Sequence, residues 1–270
     1  MKKILAITLL LFASSGFAQT PVFFAIPTDR RDVTMNIVVM DPEAPLDKVL
    51  LVVPGTPGQE GRIMLRGKQS PSLGALQYLY PHLAMFKDGG IALVSMGCPT
   101  DQWETSVQCY DDYRSSQQYV GDVKKVIEFL REKYAFKEFY LFGHSSGGIS
   151  SRWLSLRMPD QFKGVINSSV MNDAYGDLAR STIGFDMNAI KIPVLNIAHE
   201  DDRCPSTPYS MVKNYSKDNL VTVRGGGQTG HICGRANRHS FEGRQKGVAK
   251  AIVKWITTGE VQKYVDDDGQ

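Results

Sequence analysis

The stretch Lys137-Glu138-Phe139-Tyr140-Leu141-Phe142-Gly143-His144-Ser145-Ser146-Gly147-Gly148 decides how the rest of the chain is read. Phe139 to Phe142 is a short apolar run suited to a strand buried on both faces. It leads directly into a G-x-S-x-G pattern, and Ser146 to Met158 then carries Ile149, Trp153 and Leu156 at helical spacing. A serine between strand and helix sits on a sharp, strained turn. Such a turn forms only where Gly143 and Gly147 bring no Cβ against the crossing backbone. Ser145 is therefore the first candidate for a nucleophile.

Short apolar runs recur on both sides of this turn. Val22 to Ile26 and Val33 to Met40 read as edge strands that pair antiparallel across a charged turn at Asp29 to Asp32. Val49 to Val53, Ile91 to Ser95, Val165 to Ser168, Val194 to Ala198 and Leu220 to Val223 read as buried strands. Helical patterns lie between them. The clearest runs from Asp112 to Tyr134, with Val123, Val126, Ile127, Leu130 and Tyr134 three and four residues apart, and the last runs from Phe241 to Thr257, closed by Gly259. Strand and helix in alternation predict a mostly parallel central sheet with helices on both faces, ligands being held at the carboxyl ends of the strands.

The chain opens with Lys2 and Lys3, an apolar run from Ile4 to Ala13, and the small-x-small sequence Gly16-Phe17-Ala18. This is the pattern of a secretory signal peptide over residues 1–18, cut after Ala18. The apolar run is too short for a membrane anchor, and no later segment reads as one. Cleavage leaves a formal charge of about +1, which gives no argument for a nucleic acid or a membrane surface as partner. The remaining residues, 19–270, read as one domain. Oligomeric state is not legible in them.

Four cysteines, Cys98, Cys109, Cys204 and Cys233, are an even number in an exported chain, where two disulfides are the expectation. Of the three connectivities, Cys98 with Cys109 and Cys204 with Cys233 is favoured, because each bridge then closes one loop between neighbouring elements. A zinc site is the poorer reading, since no C-x-x-C pair is present.

A serine hydroxyl is a poor nucleophile unless a base takes its proton and a third group fixes that base. The loop after Val194 to Ala198 reads His199-Glu200-Asp201-Asp202-Arg203-Cys204-Pro205 and supplies the acid. Asp202 is chosen, ahead of Asp201 and then Glu200, because a turn a few residues past the strand can aim it inward. For the base, His239 stands before the last predicted helix and is preferred to His231, which follows the Gly225-Gly226-Gly227 stretch. A metal site is not expected at His199 and its carboxylates, since consecutive residues do not converge on one ion. Two N–H donors are needed for an oxyanion. Ser146 is one candidate, and Thr56, in Val53-Pro54-Gly55-Thr56-Pro57-Gly58, is the other, with Gly55 as its neighbour. A Cys204–Cys233 bridge would tie the acid loop to the base loop.

At Gly143 to Gly148, Asp202-Arg203-Cys204 and His239-Ser240-Phe241 the chain resembles the α/β-hydrolase superfamily of serine esterases, lipases and related peptidases, in particular its small exported members. The resemblance implies a three-layer α/β fold, a Ser145, Asp202 and His239 triad, and hydrolysis of a small-molecule or polymeric carboxylic ester through an acyl-enzyme, without a cofactor. The stretch from Ser168 to Ile192 is too short for the large helical cap of some relatives, so little or no cap is expected. A secreted or periplasmic location follows from the signal peptide. Pro54 to Gly58 departs from the His-Gly-Gly-Gly of many lipases. A peptidase or amidase on the same triad is the alternative chemistry, and a non-catalytic binding protein of the same fold is the alternative class.

Overall fold

The computed structural model describes residues 21–40, 46–53, 55, 78–103, 109, 111–174 and 179–266. Residues 1–18, where a signal peptide is expected, and Thr56 lie outside the described residues. Among the described residues nine strands are formed: β1 (Val22–Pro27), β2 (Thr34–Met40), β3 (Lys48–Val53), β4 (Ile91–Pro99), β5 (Glu138–His144), β6 (Gly164–Ser168), β7 (Val194–His199), β8 (Leu220–Val223) and β9 (Tyr264–Val265). They make one sheet in the order β1-β2-β4-β3-β5-β6-β7-β8-β9. The pairs β1/β2 and β2/β4 are antiparallel, and every pair from β4 through to β9 is parallel.

Alternation along the central strands divides the core in two. On β3, Val49, Leu51 and Val53 face one layer, while Leu50 and Val52 face the other. The first layer is closed by Val123, Val126, Ile127 and Leu130 of α3 (Gln117–Tyr134) and by Leu154 of α4 (Gly147–Arg157). Across the sheet, Leu83 and Phe86 of α1 (Leu83–Asp88) pack with Val248, Ile252 and Trp255 of α6 (Gln245–Thr258). This is a three-layer α/β fold with a mostly parallel sheet. Between β6 and β7 the described residues form only short 3-10 turns, at Arg180–Thr182 and Met187–Ala189.

The helix expected over 112–134 is two helices, α2 (Asp111–Arg114) and α3, parted at Ser115 and Ser116. Ser116 leaves helical geometry and its hydroxyl accepts from the Tyr119 N–H at 3.1 Å. Serine takes such a cap readily, since its oxygen satisfies a donor that the helix leaves unpaired. The last helix starts at Gln245 rather than Phe241, because Phe241 (φ +57°) and Gly243 (φ +75°) are both left-handed. It ends at Gly259 (φ +76°), where a left-handed cap is needed. Two-residue β9 gives no sequence signal and was not expected.

Candidate active site

Ser145 follows the last residue of β5 and is left-handed, at φ +54°. Its N–H donates to the Ser168 carbonyl at 3.0 Å, and its own carbonyl accepts from Gly148 N at 3.0 Å and Met171 N at 3.2 Å. The turn is thereby pinned to the end of β6. A Cβ built on Gly143 would lie 2.5 Å from the Gly147 carbonyl oxygen and from Ser151 Oγ. On Gly148 it would fall 2.3 Å from the Val170 Cβ. Both positions therefore need glycine for close approach. Ser146 is buried and occupies the cap position of α4, so its N–H lies at the helix start beside the candidate nucleophile. Gly55, just past β3, packs against the same turn: a Cβ there would be 3.2 Å from the His144 carbonyl and 3.9 Å from the Ser145 Cβ.

Asp202 and His239 are brought together, with side chains only 2% and 1% exposed. The Asp202 Oδ2 and His239 Nδ1 atoms are 2.9 Å apart. Oδ1 accepts from the Cys204 N–H at 2.9 Å, and Oδ2 also accepts from the Thr207 hydroxyl at 2.8 Å. A buried carboxylate needs such donors to offset its lost hydration. His239 Nε2 is buried and meets no hydrogen-bond partner among the described residues. With Nδ1–H committed to Asp202, Nε2 is the nitrogen free to accept a proton.

The histidine before Ser145, His144, lies beside His239. The His144 ring is 5.1 Å from the His239 ring, centre to centre. His144 Nδ1 lies 3.1 Å from Ser168 Oγ, which lies 2.9 Å from the Tyr78 hydroxyl. Burial holds the His144 pKa well below the usual 6.5, and the neighbouring His239 adds to the shift, against an opposing contribution from Ser168. His144 is thus a neutral ring beside His239. Burial likewise pushes the Tyr78 phenol up, so it remains a neutral hydrogen-bonding group.

The alternatives weighed in the sequence point elsewhere. Asp201 is 46% exposed and pairs with Arg238 and, at 3.7 Å, with Arg203. His231 is exposed, and its Nδ1 accepts from the Cys233 N–H at 3.2 Å. Glu200 pairs with Arg224 at 3.0 Å. His199 ties its strand end to the next loop, with Nε2 2.7 Å from the Gly225 carbonyl and Nδ1 accepting from Asp201 N at 3.0 Å. Cys98 is bonded to Cys109 and Cys204 to Cys233.

No curated protein matches the chain. A family model described as serine aminopeptidase, S33, matches residues 110–236. Among solved structures, Est1E from Butyrivibrio proteoclasticus is similar at a TM-score of 0.58 and 13% identity, over 87% of this chain and 97% of that one. A Xanthomonas campestris α/β serine hydrolase without a lid is similar at 0.53 and 16% identity, over 88% and 94%. A dienelactone hydrolase from Anabaena variabilis is similar at 0.57 and 14% identity, over 90% and 99%. The chain has the α/β-hydrolase fold.

Within this α/β-hydrolase fold, several residues shape the site without having been singled out in the sequence. Arg152 of α4 is fully buried and donates to the Met171 carbonyl at 3.0 Å, to Asn172 Oδ1, and to the Tyr215 hydroxyl at 3.1 Å. It holds the segment whose Met171 N–H binds Ser145 and whose Asn172 N–H donates to the Ser206 carbonyl at 2.8 Å. The Ser145 turn and the Asp202 turn are therefore joined through residues 171–172. Tyr78, Ser168 and Thr207 belong to the same group. None of them sits in a motif, and the only signal for them is tertiary: a polar side chain buried at the carboxyl end of the sheet. Among the described residues no cluster of three or more His, Cys, Asp or Glu is arranged to hold a metal ion, and no helix is long and apolar enough to cross a membrane.

Proposed function

We propose that the chain is an exported serine hydrolase that cleaves a carboxylic ester through an acyl-enzyme, with Ser145 as nucleophile, His239 as general acid and base, and Asp202 as the group that orients His239. The observation that carries this reading is the buried His239 ring, bound to Asp202 through Nδ1 and left with an unpartnered Nε2 at the carboxyl end of the sheet where the Ser145 turn stands. Ser145 attacks the ester carbonyl as its proton passes to Nε2. The tetrahedral oxyanion is held by the N–H of Ser146 and by a second donor in the segment after β3, for which Thr56 is the candidate. Collapse breaks the ester C–O bond and expels the alcohol, which takes the proton from His239. Water, deprotonated by the same nitrogen, then attacks the acyl-serine, releasing the acid and restoring Ser145.

The two disulfides fit an oxidising compartment, which supports the export reading. Amide cleavage is the second reading. It is favoured by the serine aminopeptidase description of the family model, and the triad chemistry serves either bond. The mature protein should label with a fluorophosphonate and turn over a panel of short- and long-chain aryl esters, feruloyl esters and peptide anilides. Ferulic acid is bound to Est1E in one similar structure, which is why its esters belong in the panel. Ser145→Ala should abolish both labelling and turnover. Wild-type protein that neither labels nor cleaves any member of the panel would exclude the enzyme reading. Faster anilide than ester turnover would favour the peptidase.

A further inference from the structure

Thr207 stands five residues past the acid, at the end of the turn that Asp202 opens, and its side chain has no motif to recommend it. It is buried, and its hydroxyl lies among three polar atoms of the site: Asp202 Oδ2 at 2.8 Å, the Cys204 carbonyl at 3.3 Å and His239 Nδ1 at 3.4 Å. A threonine hydroxyl has one hydrogen to give. A carboxylate at 2.8 Å is a stronger acceptor than a carbonyl at 3.3 Å, so the hydrogen goes to Asp202. The hydroxyl oxygen then faces His239 Nδ1 with its lone pairs, on the same side as Oδ2.

Oδ2 is consequently the acceptor of two donors, Thr207 O–H and His239 Nδ1–H, while Oδ1 takes the Cys204 N–H. Three donors around a carboxylate leave it one orientation. The Thr207 N–H closes the turn on the Cys204 carbonyl at 3.0 Å, and Ser206 is held from outside by Asn172 N–H at 2.8 Å. Thr207 is thus fixed by the backbone before its side chain acts. Its bond to Oδ2 also draws negative charge away from the atom that faces the imidazole.

We propose that Thr207 is a positioning residue, which aims the Asp202 carboxylate at His239 and moderates how strongly that carboxylate holds a protonated ring. The inference rests on the triad reading above. Thr207→Val keeps the shape and removes the hydroxyl, whereas Thr207→Ser keeps the hydroxyl and removes the methyl. For Val, kcat should fall about 10- to 100-fold, the range set by losing a hydrogen bond to a charged group, with KM nearly unchanged. Without the competing donor Asp202 favours the charged ring more strongly, so the acid limb of kcat/KM should move to higher pH. Ser should restore kcat and the profile. Normal kcat and profile in a folded Val variant would overturn the proposal, as would equal losses in Val and Ser, which would assign the effect to packing of the methyl group.

One readout does not need turnover. The Nδ1–H proton of His239, followed by NMR in uniformly labelled protein, should move and exchange faster with water in Val but not in Ser. No change in Val would overturn the positioning role even if the protein proved to cleave no ester. If instead the resonance responds as expected while the wild type is inert to probe and panel, the positioning stands and the hydrolase reading fails.

Discussion

Ser145 is held where a side chain is disfavoured. A non-glycine residue at φ +54° costs about 1 to 3 kcal/mol, and this one persists because hydrogen bonds pin both its peptide groups, to Ser168 on one side and to Gly148 and Met171 on the other. The strain puts the hydroxyl at the top of the strand, so the turn costs stability at the candidate nucleophile. Ser145→Ala keeps the Cβ and the strain; Ser145→Gly removes both. The glycine variant should therefore be the more stable of the two by about 1 kcal/mol in urea unfolding, with both inactive. Equal unfolding midpoints would show that the turn stores no strain.

At the scale of elements, the two disulfides do different work. Cys98–Cys109 closes a loop of 11 residues beside β4, and the Cys109 carbonyl accepts from Arg114 Nε at 2.6 Å, so that bridge braces the entry to α2. Cys204–Cys233 spans 29 residues and joins the Asp202 turn to the loop that leads into His239. That loop is closed on itself, with Thr229 and Gly230 N–H groups on the Ala236 carbonyl at 2.9 and 2.8 Å, and Asn237 caps the turn that carries His239. Removing either bridge should lower the thermal midpoint, since closing such a loop stabilises by about 3 to 4 kcal/mol in the chain-entropy model. Replacing Cys204 and Cys233 by alanine should in addition lower kcat, because the bridge holds in place the turn whose backbone N–H at residue 204 donates to Asp202. Alanine at Cys98 and Cys109 should leave kcat within about twofold of wild type, a loss too small to count as a missing hydrogen bond. Equal kcat in the two double variants would separate the bridge from the site.

For the whole molecule, buried histidines set an acid limit. Burial lowers the pKa of both His144 and His199 below the usual 6.5. Below that value the unfolded chain binds protons that the folded chain refuses, so unfolding becomes easier as pH falls, and stability is fully present only above it. The thermal midpoint should therefore drop progressively as pH is lowered below 6.5, and a His199→Gln variant should show a shallower drop. A midpoint flat across that window would mean that both rings take up protons without cost.

Much of the fold was legible from short-range pattern alone. Eight of the nine strands follow from apolar runs, which is a direct consequence of a parallel sheet buried on both faces. Helix limits were less legible, because Ser116 and Phe241 end helical geometry through a side-chain cap and a left-handed φ that composition does not announce. Gly143 and Ser145 declared themselves, since a turn with no room for a Cβ admits few residue types. The sequence by itself determined the layer order and the candidate nucleophile. Which carboxylate meets which imidazole was decided only by tertiary structure: Asp201 and Asp202 are chemically identical neighbours, and only the turn closed by Cys204 and Thr207 sends one to Arg238 at the surface and the other inward to His239.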